Sequence, residues 1–348
     1  MDIERRDLRR LQALLGVIVG VLVIFALREL RQIFIPLFLA LFLYFLFIGT
    51  VVRLRRWGIP KLLVLAGVLS FIFITLCLLA LLVYTGATTF IEQFPSYSGQ
   101  IVKSLQALSV KLKIPLADVN QYIQHIDWNR MMNPTQVSAM LSTALGSFTS
   151  FMGNLVLVLL FLMFMLGGRR ALADRVGRRV GRERLASLQS IVDAIEREVE
   201  HYLGIKTVVS LFMALVGALI LYLGGVDFVI FSALLIFLLN YIPTFGSLVS
   251  TVFPVVLGFV KFGFGWRMVL VTLALMTLQF VTGNVMEPKI TGRRLNLSPM
   301  TILISLIFWG WLWGALGMIL AVPITSSLKI TFEHIENLKV LAAVMSAE

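Results

Sequence analysis

Charged residues are scarce in this sequence. They make up 14% of its 348 residues, against about 25% in a soluble globular domain, so most of the chain cannot be the wet surface of a globule. Cysteine is nearly absent: Cys77 stands alone inside an apolar run, which excludes a disulfide framework and reads as a small packed side chain. The three histidines, His125, His201 and His334, fall in separate segments outside the apolar runs, and no H-E-x-x-H spacing occurs, so neither a metal centre nor histidine catalysis is expected. No G-x-x-x-x-G-K-[ST] phosphate loop is present, which argues against an ATP-driven pump built into this chain. Gly263-Phe264-Gly265 is a lone glycine pair without nucleotide-binding context and reads as a turn. These absences point away from an enzyme and from any cofactor.

What is there is apolar: 59% of the residues are hydrophobic and the mean hydropathy is +0.95. Uncharged runs occupy residues 11–27, 32–52, 62–91, 148–166, 207–226, 228–260, 268–286 and 295–328. Each reaches or approaches the roughly 20 residues with which a helix crosses about 30 Å of hydrocarbon. Outer-membrane strands would be about 10 residues long and alternate apolar with polar, whereas these runs are apolar on every side. Only helices then satisfy the backbone in lipid. The expected fold is all-α, a polytopic helical membrane protein of about eight membrane segments, with the bilayer as its solvent. The first run follows Arg5, Arg6, Arg9 and Arg10, but Arg28, Glu29 and Arg31 stand where a signal peptide would carry small residues, so it reads as a retained anchor.

Orientation follows from Lys and Arg, which stay cytoplasmic when they crowd short loops. Arg5 to Arg10, then Arg53, Arg55, Arg56 and Lys61, then nine basic residues in 169–206 fall on one side if the first four segments alternate. That side is the cytoplasm of an inner membrane, with both termini inside. The resulting division is 1–91 (segments 1–3), 92–147 (an external helical insertion punctuated by Pro95, Pro115 and Pro134), 148–168 (segment 4), 169–206 (a basic cytoplasmic linker helix), 207–328 (segments 5–8) and 329–348 (a cytoplasmic tail). The basic cluster carries no nucleic-acid recognition fold or stacking aromatics, and reads as a topology signal lying on anionic lipid.

Candidate function sits in the polar and helix-breaking residues of the second half. Asn240-Tyr241-Ile242-Pro243-Thr244-Phe245-Gly246-Ser247 interrupts a run of 33 residues, which as one helix would be about 50 Å long. The last run, also too long for one crossing, holds Ser305, Gly310, Gly314, Gly317 and Pro323. Its glycines allow either close helix packing or a second break. Broken helices at membrane depth are tolerated where the freed groups face protein or water, and transporters bind solutes there. Segments 6 and 8 are therefore expected to be re-entrant hairpins entering from opposite faces, with turns near 243–246 and 310–314. Between them Asn284 and Glu287 end a span beside Lys289; Glu287 reads either as a cation or proton site or as an interfacial ion pair with Lys289.

With Asn240, Ile242, Pro243, Gly246 and Pro254, then Glu287-Pro288-Lys289-Ile290, Gly292, Leu295, Pro299, Gly310, Gly314, Gly317 and Pro323, the chain resembles the autoinducer-2 exporter family of bacterial membrane proteins. Pro36, Gly58-Ile59-Pro60, Tyr202 and Lys206 fit the same pattern. The resemblance implies eight segments, a large outside insertion after the third, a homo-oligomer, with a pentamer as the form the family suggests, and export driven by an ion gradient or the solute's own gradient. It implies a small polar solute such as an autoinducer-2-type signal; other members of the family exchange sodium or lithium for protons. A monovalent cation/proton antiporter, a passive channel and a non-transporting membrane scaffold stay open beside a secondary exporter.

Overall fold

The computed structural model describes residues 2–112, 134–180, 182–243, 245–263, 265–291 and 296–347. Helices carry almost all of them: α1 (Asp2–Glu29), α2 (Arg31–Arg56), α3 (Lys61–Leu112), α4 (Pro134–Val180), α5 (Arg182–Gly224), α6 (Val229–Leu239), α7 (Phe245–Phe262), α8 (Trp266–Val281), a π-helical turn (Thr282–Met286), α9 (Glu287–Thr291), α10 (Pro299–Glu333) and α11 (Lys339–Met345). The protein is a polytopic helical membrane protein. Among the described residues, six stretches are long and apolar enough to cross a membrane: Arg31–Arg56, Lys61–Gln93, Leu145–Gly168, Leu185–Gly224, Trp266–Ile290 and Pro299–Glu333. Large apolar side chains such as Leu62, Phe71, Leu215 and Leu223 point outward on these helices, an arrangement that water would penalise and lipid does not.

Contacts divide the chain into two compact units, Met1–Phe45 with Leu157–Ile195 and Asn296–Glu348, and Leu46–Val156 with Glu196–Leu295. In the second unit, Leu221 and Val226 at the end of α5 pack with Leu257 of α7 and with Met268, Val271 and Leu275 of α8. The sixth apolar run is folded in two here. α6 has 11 residues and α7 has 18, about 16 and 27 Å of helix. The chain reverses through Asn240 to Pro243, and Gly246 lies so close to the carbonyl of Leu239 that a side chain would collide with it. At the other end, Lys261 near the end of α7 donates to the carbonyl of Gly225 (3.0 Å) and to Asp227 (2.5 Å), just ahead of α6. A helical hairpin with a clasped base is the result.

In the first unit, α10 is also a hairpin. Gly314 has φ 67° and ψ −146°, outside helical space, and Gly317 packs on the carbonyl of Trp309. Eight residues along an unbroken helix would separate them by about 12 Å. Only a residue without Cβ takes that conformation at little cost. Residues 299–313 and 315–333 are thus two arms, and Gly310 and Gly317 supply close approach beside the break. The tip is held by Trp313, whose indole nitrogen donates to the carbonyl of Leu27 (3.1 Å) and whose ring lies 5.0 Å from those of Phe38 and Trp309. Beyond the arms, Leu297 and Ser346 form an antiparallel bridge, and the amide of Ala347 donates to the carbonyl of Asn296 (3.3 Å).

Two features depart from the expectations for the loops. Pro95 does not punctuate the insertion: α3 runs through it to Leu112, and Tyr97, two residues on, ties that turn to Asp227 (2.7 Å). Nor does a separate linker helix precede segment 5, because α5 carries the basic stretch from Arg182 straight into the membrane run. Pro115 lies outside the described residues.

Candidate functional site

In the second unit, α5 presents a row of polar side chains where the rest of its membrane run is apolar. Lys206, Thr207 and Ser210 lie within two turns, and Lys206 and Ser210 are buried, at 4% and 0% exposed. A buried ammonium in an apolar setting is costly unless a partner meets it. Glu287 does so: the Lys206 ammonium donates to its Oε1. Tyr202, buried one turn earlier, lies close enough to feel the charge of Glu287. The Ser210 hydroxyl accepts from the Asn240 amide at 2.9 Å, and Thr207 shares a 2.7 Å hydrogen bond with the Tyr241 hydroxyl. The tip of the α6–α7 hairpin is therefore hydrogen-bonded to α5, immediately beside the ion pair.

Distances along α5 give the depth. The hairpin base sits at Gly225 and its tip at Ser210, 15 residues apart and so about 22 Å along the axis, against roughly 30 Å for a hydrocarbon core. Lys206 is one turn further. The hairpin tip lies beside the Lys206–Glu287 ion pair, whose ammonium is buried.

A π-helical turn, Thr282–Met286, directly precedes Glu287. One extra residue in a helical turn sets everything beyond it back by about 100° around the axis, and so changes the face from which Glu287 projects. Inside the turn Thr282 donates to the carbonyl of Leu278 (2.7 Å). Of the two readings of Glu287, a pair with Lys289 is not what forms, since side chains two apart on a helix point away from each other; Lys289 is exposed and Glu287 pairs with Lys206. Asn284 is exposed as well and donates only to the carbonyl of Phe280 (3.2 Å).

Of the sequence candidates, the structure brings Asn240, Tyr241 and Glu287 together, and adds Lys206, Thr207 and Ser210. Pro243 and Gly246 shape the reversal. Ser247 lies in the first turn of α7 and its carbonyl accepts from Ser250 (3.1 Å) and Thr251 (2.9 Å). Thr244, Gly292 and Leu295 lie outside the described residues. Ser305, Gly310 and Gly314 belong to the other unit, where Ser305 is buried and bonds locally to the carbonyl of Ile302 (2.8 Å). Three buried oxygens in the second unit have no hydrogen-bond partner among the described residues: Ser232 Oγ, Thr272 Oγ1 and Gln279 Oε1. The last two are seven residues apart on α8, hence on one face.

A second polar cluster sits at the hairpin base. Asp227 accepts from Lys261 and from Tyr97, with its carboxylate about a third exposed. Burial raises its pKa, but the hydrogen bonds from Lys261 and Tyr97 and the Lys261 charge outweigh that and hold it below the ordinary carboxylate value. Burial first, then the bond to Asp227, pushes the Tyr97 phenol up.

The sequence matches the AI-2E family transporter profile over residues 13–337. The chain belongs to the AI-2E transporter family. Among its relatives is the "AI-2 transport protein TqsA" of Escherichia coli, 32% identical over 336 residues that cover 95% of this chain and 94% of that one. A "Putative transport protein" of Haemophilus influenzae is 28% identical over 331 residues, covering 94% and 93%. "Putative transport protein YhhT" of Escherichia coli is 28% identical over 336 residues, covering 96% and 93%. Membership of the AI-2E family places the polar row of α5 in a transporter.

Proposed function

We propose that this AI-2E family protein is a secondary transporter that exports a small polar solute of the autoinducer-2 type across the bacterial inner membrane. The observation that carries the proposal is the Lys206–Glu287 pair beside the bonded hairpin tip. Polarity of that kind inside a membrane helix bundle is costly, and marks solute and ion pathways. Hydroxyls and amides at Thr207, Ser210, Asn240 and Tyr241 offer the donors and acceptors that a hydroxylated solute needs in exchange for water. In the structure they are hydrogen-bonded to each other in pairs, Asn240 to Ser210 and Tyr241 to Thr207. A hairpin tip that trades those bonds for bonds to solute would open as it loads. TqsA, a relative over nearly the whole chain, is named for AI-2 transport, which supports the solute class.

Glu287→Gln keeps size and removes charge. In proteoliposomes with imposed proton and sodium gradients, wild-type protein should move autoinducer-2, and the variant should lose both rate and gradient dependence. An unchanged rate and pH dependence with normal insertion sinks the ion-site reading. Cation/proton antiport is the second reading, favoured by the same ion pair. It predicts gradient-driven sodium or lithium flux without any solute.

The same proposal takes both hairpins as re-entrant, both termini as cytoplasmic and the assembly as a homo-oligomer. The clasped base of the α6–α7 hairpin supports re-entry, because its two ends meet at Gly225 to Asp227 and Lys261. A cysteine at Thr291 should then be labelled from the cytoplasmic side. Exclusively external labelling overturns the hairpin topology.

A further inference from the structure

The outer arm of the first hairpin bears an apolar groove with a volume of about 510 Å³. Leu248, Val249, Val252, Phe253, Val256 and Val260 of α7 line it, at spacings that keep them on one helical face. Phe90 and Tyr97 of α3, seven residues apart on one face, form the opposite wall. From Leu248 to Val260 is 12 residues, about 18 Å, comparable with the half-thickness of about 15 Å that one leaflet's chains fill.

The groove ends in charge. Tyr97 hands over to Asp227 and Lys261 at the hairpin base, and the Arg267 guanidinium lies 5.0 Å from the Phe262 ring centre. Two cations against one carboxylate leave one positive charge, and Arg267 makes no ion pair among the described residues. An apolar slot one leaflet long, with tyrosine and arginine at its mouth, matches an amphiphile with an anionic head. A small polar solute finds nothing to bind along its length.

We propose that this groove holds one acyl chain of an anionic phospholipid from the leaflet at the hairpin base, with its phosphate at Arg267 and Lys261. The bound chain braces α7 from outside while Asn240 and Tyr241 bond the tip from inside, so lipid charge and chain packing act on the hairpin.

The test uses the full-length protein in bilayer nanodiscs with phosphatidylglycerol carrying a diazirine in one acyl chain, and the phosphatidylcholine equivalent as comparison. After irradiation, labelled peptides should map to residues 248–260 and to Phe90. Unlabelled phosphatidylglycerol should compete there. Val252→Trp fills the groove and should cut labelling about tenfold, as should the milder Val249→Phe if the first variant folds poorly. Leu215→Trp, on the outward face of α5, should leave it unchanged. Arg267→Gln should erase the preference for phosphatidylglycerol over phosphatidylcholine. Labelling spread evenly over α5 and α7, or groove labelling untouched by Val252→Trp and Val249→Phe, overturns the proposal. So does dissociation of an oligomer by Val252→Trp with labelling intact, which assigns the face to a second copy of the chain.

Discussion

Two carboxylate–lysine pairs flank the α6–α7 hairpin, one at each end, and they differ in almost everything except chemistry. Lys206–Glu287, beside the tip, has its ammonium at 5% exposure, while Lys261–Asp227, at the base, has both partners about a third exposed. Solvent at the base screens the attraction and also solvates either partner when the other leaves, so such a pair contributes little. At the tip the buried ammonium has no such substitute, while the Glu287 carboxylate keeps 28% exposure. The base pair fixes where two helix ends meet, and under the proposed function the tip pair is kept for what its charges do.

The sharpest way to break that contrast is to remove one inner charge. Lys206→Met should leave Glu287, 28% exposed, without its partner and destabilise the protein by about 1–3 kcal/mol, with solute flux lost. Adding Glu287→Met should restore most of the stability, since two apolar groups need no partner, yet flux should stay absent. Thermal unfolding and proteoliposome flux measured on both variants decide this. Equal stability of the single and double variants would make the inner pair no different from the outer one.

A more local effect is expected at the tip's neutral bonds. Asn240→Ala leaves the Ser210 hydroxyl buried without its amide partner and should cost about 1–3 kcal/mol. Hydrogen exchange should increase around 240–243 and remain as it was at the base.

Smallest is the base itself. The Asp227 carboxyl titrates lower folded than unfolded, so its stabilisation is complete above the unfolded value of about 3.9 and fades as pH falls through the folded value below it. Melting temperatures of wild type and Asp227→Asn, compared between neutral pH and about pH 3, should differ slightly at the top of that range and converge at the bottom. The gap should correspond to less than about 1 kcal/mol.

Sequence reading reached the segments and both breaks because each rests on local evidence. Apolar runs measure themselves against the bilayer, and Pro243, Gly246 and Gly314 declare where a helix has to turn. It also placed Asn240, Tyr241 and Glu287 among the candidates. The partners of those residues were another matter. Lys206 lies 81 residues from Glu287 and Ser210 lies 30 from Asn240, and no local period records which helices will be neighbours. The π turn is harder still, because one extra residue in a helix leaves no compositional mark. It changes the face from which Glu287 projects. Pro95 shows the opposite error: a strong local signal for a break was overruled inside a helix tied down at Tyr97.

The bridge between Leu297 and Ser346 makes residues 297–346 a closed loop, stitched at its neck by residues 345–347. Ser346→Pro, or removal of residues 346 and 347, would cut the stitch and leave the neck of this loop open, with faster hydrogen exchange expected at Ser298 and its neighbours.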